Sequence, residues 1–462
     1  MKRVLSLALA AALLLAGCAA GAQDPAGAGE PGRKEPEKMS YTLAEPIYPE
    51  FPKQPQMPAE GPIGGWEAYQ EAYDKYMDAL TALRGENSNV TEAEHAALTA
   101  FAAKSLPLAV AGHEGENAIY SPLSLWSALA MLAQCAEGES RQQVLDALGA
   151  DSVEQLREQV SHIWQTLYTD DGLSALILAN SIWLNTGMEG VYVQETLDTL
   201  AEAYYAGAYA VPMGEPEADQ AVTDWVKKQT NGLIGGNQPV VQTKAETLAL
   251  LVSSLYYKAA WVSEFLPDQT EIDVFTDAAG NESRVDFMHK TKDDDFIRRD
   301  GYQAARLQTR LGEMVFVLPD KGVTPESLLQ REDFLSRLEF YGDAATYGEV
   351  QWSVPKFDVN SDLNLMDALK TMGITDLPDR DRADLSALTD LPAFLSDAKQ
   401  LARVKVDEEG VEAAAVTILD IATCCLPMDP EVCVMDLDRP FLFVIRTQDV
   451  PLFIGVVNQV QE

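Results

Sequence analysis

Apolar and aromatic residues recur at helical spacing from Trp66 to Leu83. Trp66, Tyr69, Tyr73, Tyr76, Met77 and Leu80 fall on one side of such a helix. That face predicts docking on a neighbouring domain, with partner binding as the alternative. Thr91 followed three residues later by Glu94 has the spacing of a capping box and predicts a second helix over roughly 92–110. Further helical patterns cover 122–135, 140–149, 152–168, 194–206, 217–230 and 362–373. Strand-like segments cover 174–184, 248–258, 313–318, 350–359, 400–406, 432–435, 441–447 and 451–457. Helices crowd the first half and strands the second without regular alternation, which predicts an α+β fold and not a doubly wound sheet. No internal repeat is present.

The N-terminus obeys neither period. Lys2 and Arg3 precede an apolar run from Val4 to Ala16, which ends in Leu15-Ala16-Gly17-Cys18. The run suits a signal peptide and is short for a bilayer span. Small residues before a cysteine resemble a bacterial lipoprotein signal. That resemblance implies cleavage after residue 17, lipidation of Cys18, and a chain anchored outside the cytoplasm on the bacterial cell envelope. Residues 19–64 are rich in Pro, Gly and charge and read as a flexible tether. The expected organisation is therefore a signal peptide over 1–17, a tether over 18–64, an accessory helical segment over 65–91 and one large domain over 92–462.

The chain carries 72 acidic and 34 basic residues, a formal net charge of −38. Phosphates would be repelled by this balance, which argues against nucleic acid as a partner. The sequence contains no G-x-S-x-G elbow, Walker A loop, H-E-x-x-H or paired C-x-x-C. His95, His113, His162 and His289 are far apart and lack ligand spacing, so no metal, cofactor or catalytic role is expected for them. Cys135, Cys424, Cys425 and Cys433 are too few for a disulfide framework in a chain of this size.

The informative stretch is 404–424. An alternating strand ends at Glu409-Gly410, followed by small and then β-branched residues. Val411, Ala413, Ala415, Thr417, Leu419 and Ile421 share one parity and carry no charge, whereas Glu412, Ala414, Val416, Ile418, Asp420 and Ala422 hold both charges. This is the pattern of a strand with one buried face. An ordinary strand or an Ala-rich helix is the alternative for this segment alone.

The run Glu408-Glu409-Gly410-Val411-Glu412-Ala413-Ala414-Ala415 resembles the hinge of the serpin family, E-x-G-T-E-A-A-x. Downstream, Asp438-Arg439-Pro440-Phe441-Leu442-Phe443 and Leu452-Phe453-Ile454-Gly455 are similar to its C-terminal signature. Upstream, Asn117-Ala118-Ile119-Tyr120-Ser121-Pro122-Leu123-Ser124, Trp225-Val226 with Thr230-Asn231-Gly232, and Leu251-Val252 with Tyr256-Tyr257-Lys258 and Trp261 resemble further family motifs. Pro355-Lys356-Phe357, Met372-Gly373-Ile374 and Ala383-Asp384-Leu385-Ser386 complete a series in the family's order over roughly residues 92–462.

The resemblance implies three β-sheets, eight or nine helices and an exposed reactive loop over about 410–437. It implies a monomeric inhibitor of serine endopeptidases, with cysteine endopeptidases as the alternative target, itself not an enzyme. Cleavage of the loop would be followed by insertion of its hinge half into the largest sheet, the strand addition known for serpins. A non-inhibitory serpin that binds a ligand outside the cell is the alternative. Burying Val411, Leu419 and Ile421 is worth about 1.5–3 kcal/mol each. With ladder hydrogen bonds the total reaches on the order of 10–20 kcal/mol, comparable with a domain's net stability.

The resemblance also implies a shutter beneath the insertion site made of Ser121, Ser124, Asn180, Ser253 and Gln400. Ser253 and Gln400 replace the usual Asn and His; an amide that both donates and accepts could keep the site satisfied. Counting from Gly410 places the bait bond at Cys424–Cys425, with room for a shift of a residue or two along a longer loop. No Arg or Lys lies between Val411 and Leu437, so the implied target is elastase-like or otherwise not trypsin-like. A ring closed between Cys433 and Cys424 or Cys425 would place the bait under redox control; three incidental cysteines are the alternative.

Overall fold

Pro122 directly after Ser121 sets the start of a helix: the proline ring fixes a helical φ, and the serine hydroxyl accepts from the Ser124 N–H at 3.3 Å. Such local signals place most of the helices in the computed structural model, which describes residues 41–56, 64–85, 88–236, 239–411 and 431–461. In chain order the helices among these residues are α1 (Gly64–Arg84), α2 (Glu92–Ala109), α3 (Pro122–Cys135), α4 (Gly138–Leu148) and α5 (Val153–Leu167). They continue as α6 (Gln194–Ala203), α7 (Pro216–Gln229), α8 (Pro325–Leu329) and α9 (Met366–Thr371). Thr91 and Glu94 form both halves of the expected capping box at the start of α2.

The strands are β1 (Thr42–Ala44), β2 (Ala118–Tyr120), β3 (Thr169–Asp170), β4 (Ala175–Asn185), β5 (Ala206–Val211), β6 (Ala249–Ala260), β7 (Thr270–Thr276), β8 (Glu282–Arg299) and β9 (Tyr302–Thr309). Then follow β10 (Gly312–Pro319), β11 (Thr346–Pro355), β12 (Phe357–Asn364), β13 (Lys399–Val406), β14 (Gly410–Val411), β15 (Val432–Asp436), β16 (Phe441–Thr447) and β17 (Val450–Val457). They build two hydrogen-bonded sheets. The first runs β1-β5-β4-β6-β14-β13-β12, with β3 beside β4; the second runs β15-β11-β8-β9-β10-β16-β17-β2, with β7 beside β8.

The fold is α+β with several sheets. Where the resemblance implied three, two merge through β8. Its early residues pair with β7, its middle with β11, and Phe296–Arg299 with β9. One strand of 18 residues is long enough to belong to both layers. β16 and β17 are almost wholly buried, so the core sits against the second sheet.

Four boundaries differ from the sequence reading. Residues 41–56 pack on the domain instead of belonging to a tether. β1 pairs antiparallel with β5, the Tyr48 ring stacks on Trp164 at 5.3 Å and on Tyr168 at 5.6 Å, and Phe51 is buried. A three-residue strand between prolines is too short to show a period. The span read as a helix over 362–373 is the end of β12 followed by the short α9, and the strand read over 350–359 is β11 and β12 broken at Lys356. Finally, the strand expected over 432–435 is present as Val432–Asp436, paired parallel with β11, so the reactive loop expected to reach about 437 ends before it.

The helix over 64–84 docks by its C-terminal end. Tyr76 donates to the Asp171 carboxylate at 3.2 Å, Arg84 donates to the Thr169 hydroxyl at 2.9 Å, and the Arg84 guanidinium lies over the Phe51 ring. Toward its N-terminus the aromatic side chains stack on one another, Trp66 on Tyr69 at 5.4 Å, and Trp66 is half exposed.

Candidate functional site

β13 ends in a tight turn, Asp407-Glu408-Glu409, whose Asp407 N–H donates to the Gly410 carbonyl at 3.1 Å. The turn is held from three directions. The Trp261 N–H donates to Glu409 O at 3.0 Å, the Trp261 indole to Asp407 O at 3.0 Å, and the Phe265 N–H to Glu408 O at 3.1 Å. The Glu408 carboxylate pairs with Lys356 at 3.0 Å and accepts from the Thr270 hydroxyl at 3.0 Å. Partial burial alone would raise the Glu408 pKa. Its own backbone hydrogen bond, the bonds to Lys356 and Thr270 and the lysine's charge outweigh burial and hold it below the ordinary glutamate value.

The chain then reverses into β14. Gly410 pairs with Ala260, and Val411 pairs with Ala259 on one side and Val406 on the other. A Cβ on Gly410 would lie 2.4 Å from the Ala259 carbonyl oxygen, so close backbone approach requires glycine here. Val411 is 2% exposed and shares the inward face with Ala259 and Val406.

β6 and β13 therefore flank β14 and are parallel to each other. Among the described residues no ladder joins them directly. Below β14 a cavity of about 620 Å³ is lined by Leu250 to Leu255 of β6, by Lys399 to Leu401 of β13 and by Ser121, Ser124 and Leu125 of the α3 region.

Four of the five expected shutter residues, Ser121, Ser124, Ser253 and Gln400, line this cavity. Asn180 lies one strand away, directly opposite Ser253 in the β4–β6 register, and donates to Tyr204 O at 3.1 Å. Gln400 uses both ends of its amide on one residue: it accepts from the Ser121 N–H at 2.7 Å and donates to Ser121 O at 2.9 Å. The replacement of the family's usual side chain thus ties the start of α3 to β13. Thr270 has no counterpart in the sequence reading. It lies far from the hinge in sequence and carries no motif, so only the fold brings it to Glu408.

Of the expected hinge, Glu408, Gly410 and Val411 are placed as above. Glu412, Ala413, Ala414 and Ala415 lie outside the described residues, as do Cys424, Cys425 and Cys18. Cys433 is a free, fully buried thiol in β15, opposite Val350, and burial pushes its pKa up to about 11. An inaccessible, protonated thiol is poorly placed to close the redox ring considered from sequence. No group of three or more metal-ligating side chains occurs among the described residues.

This geometry is a sheet with a slot for an added strand, the start of that strand already in place. The serpin family model, serine protease inhibitor, matches residues 96–460. Serpin-Z2B of Triticum aestivum is 31% identical over 74% of this chain and 90% of the relative. The crystal structure of the thermophilic serpin tengpin in its native state superposes with a TM-score of 0.71 at 26% identity, covering 80% of this chain and 95% of that one. Thyroxine-binding globulin in complex with thyroxine shares the fold, with a TM-score of 0.69 at 22% identity, over 80% of this chain and 99% of that one. The matching family model is described as that of serine protease inhibitors. The chain belongs to the serpin family.

Proposed function

We propose that this protein inhibits serine-type endopeptidases as a suicide substrate, trapping the protease by inserting its cleaved loop between β6 and β13. The observation that carries this is β14: Gly410 pairs with β6 and Val411 with the strands on both sides of the slot, in the orientation an inserted strand needs. Continuing that register inward would set Ala413 beside Tyr257 and Val404, Ala415 beside Leu255 and Ala402, and Thr417 beside Ser253 and Gln400. Val404, Ala402 and Gln400 are all buried, so the uncharged parity of the hinge would enter the dry side of the sheet.

The bait bond of this proposal is Cys424–Cys425, and the absence of Arg and Lys from Val411 to Leu437 directs it to elastase-like or other non-trypsin-like proteases. A panel of purified proteases, scored on denaturing gels, tests it. A complex that survives denaturant with at least one non-trypsin-like member is expected. Turnover of the loop by every cleaving protease, each left fully active, would sink the inhibitor and favour a binding protein.

The same proposal places the protein outside the cytoplasm on the bacterial envelope, as a monomer anchored through a lipid on Cys18. Cys18→Ala should release the protein from membranes or block its processing. Wild-type protein recovered wholly soluble, without lipid by mass spectrometry, would refute the anchor.

A further inference from the structure

The first sheet has two distinct ends. At one of them Gly410 and Val411, the base of the reactive loop, pair with Ala260 and Ala259, and Ala175 of β4 pairs with Lys258 beside them. The other end is marked by Leu184 of β4 opposite Ala249 of β6. At about 3.3 Å per residue, Ala175 and Leu184 lie about 30 Å apart along the strand.

Residues 41–56 run the length of this sheet. The Ala210 N–H donates to Tyr41 O at 2.7 Å, and Ala210 is paired with Leu184, so the segment starts at the end far from the loop. Thr42 and Ala44 then pair with Tyr209 and Ala208, which carries the chain toward the loop end. The hold does not rest on the three residues of β1 alone: Tyr48 stacks on Trp164 and Tyr168, and its hydroxyl donates to Tyr205 O at 3.4 Å. The segment finishes at the β3–β4 hairpin. There the Gln54 N–H donates to Asp171 O at 2.9 Å, and Lys53 pairs with the Asp170 carboxylate at 3.2 Å. Asp170 is opposite Ala175, at the loop end.

The next element, α1, docks on this same hairpin through Tyr76 and Arg84. Without the packing of residues 41–56, the chain would first be fastened to the domain by α1, at the loop end. That packing moves the fastening to the opposite end of the sheet. It also shortens the span leading to Cys18: Cys18 to Gly64 reaches about 160 Å at full extension, Cys18 to Tyr41 about 80 Å.

We infer that residues 41–56 are a strap that orients the anchored protein. They fasten the lipid-bearing chain at the end of the sheet farthest from the reactive loop, so that the bait faces away from the membrane and meets proteases arriving from the medium. The inference rests on the Cys18 anchor proposed above. A chain fastened at the loop end would draw the bait toward the headgroups, which would obstruct an approaching protease.

The test uses the full lipidated chain on phosphatidylethanolamine–phosphatidylglycerol vesicles that carry an acceptor dye at the headgroup. A donor dye is clicked onto an azide-bearing residue in place of Glu246, exposed just before β6, or of Asp268, exposed beside the Thr270 that bonds Glu408. Energy transfer should place position 268 farther from the headgroups than position 246, by up to about 30 Å. Tyr48→Ala combined with Phe51→Ala frees the strap, and the difference should shrink or reverse. Equal transfer from both positions with the strap intact would overturn the inference. So would a difference that survives the double substitution in folded protein. Hydrogen exchange of the unsubstituted chain gives a check that does not depend on that variant folding. The Ala210 and Gln54 amides, which donate between strap and domain, should be protected on vesicles, and free exchange at both would overturn the strap. Wild-type protein that stays off the vesicles would remove the anchor and the orientation together, a result distinct from bound protein without a preferred orientation.

Discussion

Glu408 illustrates how one side chain holds the base of the loop. It bonds Lys356 and Thr270 from two other strands or their junctions, and its carboxyl is held below the usual glutamate value. A carboxyl depressed on folding stabilises the fold fully above its unfolded pKa, about 4.3, and that contribution disappears as pH falls through the lower folded value. Glu408→Gln should therefore lower thermal stability at pH 7, and its deficit against wild type should shrink below about pH 4. Melting curves from pH 7 to pH 3 check this; a deficit independent of pH would exclude the ionic role. Val411 sets the opposite kind of constraint. At 2% exposure, an arginine there would put an unpaired cation in the dry side of the sheet. Val411→Arg should stay folded but be cleaved as a substrate, seen as a steep rise in inhibitor consumed per protease trapped. Wild-type stoichiometry would mean that a charge at the head of the slot does not hinder insertion of the residues that follow it.

Among the elements, the leader over 41–56 extends the first sheet by one strand and covers the free edge of β5. Phe51 anchors it beneath the Arg84 guanidinium and against Tyr168 at 6.1 Å. Truncating a buried aromatic leaves a cavity that the surroundings fill only in part. Phe51→Ala should destabilise the protein by about 3 kcal/mol. Urea unfolding measures this, and a loss near zero would show that the leader is not part of the cooperative unit. The α1 helix depends on the same anchor, because Arg84 reaches both Phe51 and Thr169.

For the whole molecule, β14 marks a fold that has not used all its available strand pairing. Insertion of the remaining hinge would add buried apolar surface and two ladders, on the order of 10–20 kcal/mol. Loop-cleaved protein should accordingly unfold at a much higher temperature than intact protein, measured by differential scanning calorimetry. Equal midpoints would show that the slot stays empty after cleavage.

Local chemistry carried much of this protein. The Thr91–Glu94 capping box, the Ser121-Pro122 helix start and the long apolar runs of β4 and β6 were legible because their determinants lie within a few residues of one another. So was the uncharged parity beginning at Val411, because alternation is a property of the strand itself. Other features needed the folded chain. The strands β7 and β8 are charged and only intermittently apolar, and were missed because part of each meets solvent. The docking of Tyr48 and Phe51 depends on rings more than a hundred residues away. The slot, its shutter and the turn at its head depend on pairings between residues distant in sequence: Val411 with Ala259, Gln400 with Ser121, Glu408 with Thr270. Periodicity determines which face of a strand is dry. Which strands become neighbours, and where a gap is left between two of them, is decided only when non-local contacts compete for the same core.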